Sequence, residues 1–89
     1  MAKIFFTPQL RRFLDVVDVD SNASTLRAAL DDAFVVNPRL RAYLLDDQGH
    51  LRANVVAFID GRRSDDRVAM ADPLRPESRV FVMQALSGG

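Results

Sequence analysis

The sequence has no cysteine, no tryptophan, a single histidine (His50) and a single lysine (Lys3) in 89 residues. Without Cys there are no disulfides, thiolate metal sites, iron–sulfur ligands or thiol nucleophiles. The chain needs no oxidising compartment, and a cytoplasmic location is expected. An excess charge of one sign is also missing, because twelve Lys and Arg balance twelve Asp and Glu. No global field therefore favours nucleic acid or an anionic membrane, and neither is expected as a partner. Apolar runs are short: none approaches the roughly 18 residues of a membrane span, and the stretch behind Met1 falls short of the roughly 7 to 15 residues of a signal-peptide core. The four glycines, Gly49, Gly61, Gly88 and Gly89, are spaced too widely for a Walker or dinucleotide phosphate loop. A chain of this length supports one core, burying about 60 to 65% of its unfolded surface, so a single domain over residues 1–89 is expected.

What is present reads as alternating short elements. Ala2 to Thr7 is an apolar, β-prone run closed by Pro8, and Phe13 to Val19 is a second, with the polar Gln9-Leu10-Arg11-Arg12 between them. The pair predicts an N-terminal hairpin with a long loop. Leu26, Ala29, Leu30, Ala33 and Phe34 recur at spacings of three and four, the stripe of a helix capped by Ser24 or Thr25 and ended by Asn37-Pro38. Arg39 to Leu45 suits either a further helical turn or a short strand, and Asp46 to Gly49 is a turn on both readings. Leu51 to Ile59 reads as a strand stopping at Asp60-Gly61, a dipeptide suited to a tight reversal. Val80 to Met83 is the last strand, trailed by Leu86-Ser87-Gly88-Gly89.

That last strand is apolar at both parities. If Val80 and Val82 pack under the helix, Phe81 and Met83 lie on the open face beside Phe5, whose neighbours Ile4 and Phe6 point inward. The result is a docking patch, unless loops cover both faces of the sheet.

Candidate catalytic groups are sparse. His50 sits in a predicted turn with no thiol to pair with and no nucleophile elbow in the chain. Asp18-Val19-Asp20-Ser21-Asn22 matches the first positions of a calcium loop, but Ala23 occupies the glycine position and Ala29 that of the bidentate glutamate. The pairs Asp31-Asp32, Asp46-Asp47 and Asp65-Asp66 read as surface charge. Arg11-Arg12 and Arg62-Arg63 lack interleaved aromatics for nucleic acid. No metal, bound cofactor or catalytic role is expected.

The end of the chain is the unusual feature. At an average glycine content of about 7%, two terminal glycines arise by chance on the order of half a per cent of the time. They would place a carboxylate on a short arm without side chains, able to thread a channel where any Cβ would clash. A carboxylate with a pKa near 3.5 is ionised and a poor electrophile at neutral pH. It needs activation, for instance as an acyl-adenylate, before sulfur or an amine can attack, and disorder of the free tail is expected.

The element order, the opening Lys3-Ile4-Phe5-Phe6, the loop Asp72-Pro73-Leu74 and the closing Ser87-Gly88-Gly89 resemble the ThiS/MoaD family of ubiquitin-like sulfur carriers. The resemblance spans essentially the whole chain, and the stretch from Gly49-His50-Leu51-Arg52 to Asp60-Gly61 is closer to the longer carriers of cysteine-synthesis type. It implies an α+β, ubiquitin-like β-grasp fold: a small mixed sheet with one main helix on one face and a flexible Gly-Gly tail. It also implies a protein co-substrate rather than an enzyme, or the small non-catalytic subunit of a synthase. An E1-like (ThiF/MoeB-type) enzyme would use ATP to adenylate Gly89, with Gly88 beside it. A sulfurtransferase or rhodanese-type donor would convert it to a thiocarboxylate, and an acceptor synthase would take the sulfur. Phe5, Phe81 and Met83, with Leu86 and Ser87, would form the docking surface. Gln84-Ala85 departs from the Pro-Pro pair typical of molybdopterin-type carriers. The alternative is a ubiquitin-like modifier joined through Gly89 to target lysines.

Overall fold

The computed structural model describes residues 1–84. Strand β1 (Ala2–Phe6) turns Ala2, Ile4 and Phe6 into the core and Lys3 and Phe5 outward. It continues into helix α1 (Pro8–Leu14), which opens on Pro8 at its first position, where the missing N–H costs nothing and the fixed φ is already helical. Strand β2 (Val19–Ser21) then pairs antiparallel with β1. The main helix α2 (Leu26–Val36) is capped by Thr25, whose hydroxyl accepts from the Ala28 N–H at 3.2 Å. Helix α3 (Arg39–Leu44) follows the Asn37-Pro38 break. Strands β3 (Val55–Ile59) and β4 (Arg62–Arg63) form a hairpin, and β5 (Arg79–Gln84) closes the sheet in the order β2-β1-β5-β3-β4. The two central strands, β1 and β5, run parallel.

The antiparallel pairing expected at the N-terminus is present, but two boundaries differ. Phe13 to Val19 is not a strand: α1 occupies the intended loop and the chain pairs only from Val19. Leu10 and Leu14, four residues apart, are both buried, so one face of α1 closes the core although its neighbours are polar. Asp15 ends the helix in the left-handed region at φ 54°, and the Asn37 side-chain amide donates to the Leu14 carbonyl at 3.1 Å. Likewise, Leu51 to Asn54 lies outside the sheet. The Leu51 and Arg52 amides bond the carbonyls of Arg67 and Leu44 at 2.8 and 2.9 Å, and the Arg67 guanidinium donates to the carbonyls of Arg52 and Val55. Sheet pairing therefore begins only at Val55.

The core lies between α2 and the inner face of the sheet. Leu26, Ala29, Leu30 and Ala33 are fully enclosed with Ile4, Val55, Val80 and Val82. Asp60 and Gly61 both take positive φ, 51° and 83°, the geometry of a two-residue reversal that follows the right-handed twist of its strands. The long β4–β5 connection is pinned at the start of α2, where the Leu26 and Arg27 amides donate to the Asp72 and Met70 carbonyls at 2.9 Å. Those bonds satisfy donors that the first turn of a helix leaves free.

Candidate docking face and tail

Strand β5 carries the candidate site because it is central and alternates strictly. Val80 and Val82 point into the core at 0% and 1% exposure, whereas Phe81 and Met83 stand outward at 40% and 41%. Register extends the outer row across three strands: Phe5 and Phe58 flank Phe81, and Val56 lies beside Met83. The Phe5 and Phe81 rings stack with centroids 4.8 Å apart and planes 14° from parallel. Pro8 and Arg11 of α1 close one side of an open hollow of about 310 Å³ lined by Phe5, Phe81 and Met83. No helix covers this side among the described residues: α2 contacts β1, β2 and α3 from within.

Phe5, Phe81 and Met83 are thus brought together on one open face. Leu86, Ser87, Gly88 and Gly89 lie outside the described residues. Phe58, Val56, Pro8 and Arg11 were not expected on this face from sequence. The period-two alternation of β3 could have found the first two, since Val55, Ala57 and Ile59 are its buried parity. Pro8 and Arg11 arrive only because α1 replaces a loop.

The other polar features organise loops. His50 is half-buried and its amide donates to Asp46 Oδ1 at 3.0 Å. That bond is the main reason the Asp46 carboxyl sits below the usual carboxylate range. Asp60 is lowered first by the Arg79 amide and then by the Ser78 hydroxyl, which donates to it at 2.9 Å. Asp66 is lowered by the amides of Ala71, Ala69 and Val68. Asp18 lies 3.4 Å from Arg11 rather than in an ion loop. Among the described residues no three His, Cys, Asp or Glu side chains converge as metal ligands, and no helix is long and apolar enough to cross a membrane.

No family model matches the sequence, and no curated protein is similar to it in sequence. Solved structures are similar in shape. SAMP1 from Haloferax volcanii is 20% identical with a TM-score of 0.80, the match covering 99% of this chain and 98% of that one. A chain of the Amycolatopsis orientalis BexX/CysO complex is 14% identical with a TM-score of 0.82 over 100% of both. The chain has the ubiquitin-like β-grasp fold. CysO from Mycobacterium tuberculosis shares this β-grasp architecture at 18% identity and a TM-score of 0.77, covering 97% of this chain and 100% of that one. The mixed five-stranded sheet with its main helix on one face is therefore the β-grasp arrangement that the resemblance implied.

Proposed function

We propose that this protein is a sulfur carrier that works through the carboxylate of Gly89. The supporting observation is the position of β5: it lies at the centre of a β-grasp sheet beside an open apolar face and is the element that precedes Gly88-Gly89 in the sequence. Five residues from Gln84 to Gly89 reach up to about 17 Å when extended. That is enough to present a carboxylate to an active site while Phe5, Phe81 and Met83 seat the domain outside it.

The chemistry asks little of the chain itself. In an E1-like enzyme the Gly89 carboxylate attacks the α-phosphorus of ATP and pyrophosphate leaves. Sulfide from a donor enzyme then attacks the acyl carbon, AMP departs, and a thiocarboxylate remains for transfer to an acceptor synthase. The chain supplies the terminal Gly88-Gly89, a thiol-free sequence in which nothing competes for the sulfur, and the docking face. Incubation with an E1-like enzyme, ATP and a sulfur donor should raise the intact mass by one oxygen-to-sulfur exchange at Gly89, and removing Gly88-Gly89 should abolish it. Unchanged mass with every such enzyme of the same organism would contradict the proposal.

A second reading is favoured by the likeness to SAMP1, which a further solved structure names a small archaeal modifier protein. In it the activated Gly89 acylates lysines of other proteins. Tagged protein recovered from its host should then carry conjugates with a Gly-Gly remnant on lysine; only free protein would count against it.

A further inference from the structure

Sulfur in this chain is confined to three side chains. With no cysteine in the sequence, Met1, Met70 and Met83 hold its only sulfur atoms, and there is no tryptophan to offer an oxidisable indole beside them. The fold sorts the three by access. Met70 is 0% exposed; it ends the turn in which Asp66 accepts the amides of Val68, Ala69 and Ala71, and its carbonyl accepts from the Arg27 amide at 2.9 Å. Met1 is 67% exposed but lines a separate hollow with Ser21, Asn22 and Leu74. Met83 is 41% exposed and stands in the apolar row itself, with Val56 as its register partner and with Phe5 and Phe81 lining the same hollow. One accessible sulfur therefore occupies the open face.

We infer that Met83 is a reversible oxidation site through which a peroxide switches this face from a binding to a weakly binding state. This rests on the carrier reading and adds a regulation to the surface that the activating enzyme meets. In the step, a peroxide oxygen bonds to the Met83 sulfur, the O–O bond breaks, the thioether gives up two electrons, and the rest of the peroxide leaves as water. A thioether packs against aromatic rings as a soft apolar group. The sulfoxide is polar and chiral, and its oxygen needs a hydrogen-bond donor wherever it is buried. A seat complementary to Phe5, Phe81 and an unoxidised Met83 supplies contact area rather than that donor, so oxidation weakens docking. Because the chain has no thiol, none of its own groups intercepts the oxidant ahead of methionine.

The test uses the full chain with Gly89 as the free carboxylate, so that methionine is the only oxidisable sulfur, and each E1-like adenylating enzyme of the same organism. Protein treated with hydrogen peroxide, then freed of it with catalase, should gain one oxygen on the Met83 peptide and one on the Met1 peptide, with Met70 protected. It should bind about tenfold more weakly than untreated protein, as loss of a central interface contact does, and ATP-dependent activation should fall in parallel. Methionine sulfoxide reductases A and B together, one for each epimer, should restore both. Met83→Leu should bind as untreated wild type and keep that affinity after peroxide although Met1 is oxidised, and the urea midpoint of wild type should be unchanged by the treatment. Oxygen uptake at Met70 ahead of Met83, unchanged binding once Met83 is oxidised, or an equal loss in peroxide-treated Met83→Leu would overturn the inference and leave the carrier reading standing. Binding that falls with Met83 oxidation, without activation of untreated wild type, would overturn the carrier reading and leave the switch standing. Neither binding nor activation of untreated wild type would remove both.

Discussion

Adjacent residues on β5 should respond oppositely to nearly isosteric polar replacement. Val82 is enclosed, and Val82→Thr puts a hydroxyl where the neighbouring backbone groups are already committed to β1 and β3. An unsatisfied buried hydroxyl costs about 1 to 3 kcal/mol, and losing one apolar methyl adds about 0.8 kcal/mol. The expected loss is therefore about 2 to 4 kcal/mol, against a total stability of about 5 to 15 kcal/mol for a domain. At about 4 to 8 °C per kcal/mol for a domain of this size, Tm should fall by at least about 8 °C. Met83 is 41% exposed, and Met83→Gln should stay within about 0.5 kcal/mol, as is usual for a surface change. Urea and thermal unfolding of both variants, with tail activation measured alongside, would separate the two sides of the strand. Val82→Thr should lose stability and, where folded, activate normally; Met83→Gln should keep stability and activate less efficiently. Equal destabilisation, or a larger loss for Met83→Gln, would refute the assignment of faces.

Other elements give independent checks. Thr25→Ala removes the cap of α2 and should cost about 1 kcal/mol in urea unfolding, with Thr25→Ser largely restoring it. Gly61→Val forces a β-branched residue to φ 83° and should cost about 1 to 3 kcal/mol without affecting binding. Because Asp46, Asp60 and Asp66 have folded pKa values below the ordinary carboxylate value, their contribution is complete above an unfolded pKa of about 3.9 and is lost as pH falls through the folded values. Stability should thus be nearly flat from neutral pH to about pH 5 and drop below about pH 4, a drop that Asp66→Asn, tracked by the urea midpoint against pH, should make shallower.

Several elements were legible because local pattern and tertiary environment agree. The three-four spacing of α2, the cap at Thr25, the Asp60-Gly61 reversal and the two-faced apolar alternation of β5 each follow from periodicity or turn geometry. α1 was hidden because Gln9-Leu10-Arg11-Arg12 is polar apart from one leucine. Its i, i+4 partner Leu14 sits in a Phe- and Val-rich run that reads as strand, and only the core's demand for both leucines decides between them. Arg39 to Leu45 was balanced between helix and strand until Leu40 and Leu44 were both buried one helical turn apart. The outer face was half legible: Phe5, Phe81 and Met83 follow from parity, but their alignment with Phe58 and with the Lys3 and Arg79 row depends on register between distant strands, which no local pattern encodes.

The most direct test of the central proposal is the intact mass of the protein after reaction with an E1-like enzyme, ATP and a sulfur donor. The expected product ends at Gly89 and is heavier by one oxygen-to-sulfur exchange located on that residue, with no such product from a chain lacking Gly88-Gly89. An unmodified carboxylate at Gly89 with every E1-like enzyme of the organism, or sulfur found elsewhere on the chain, would contradict it.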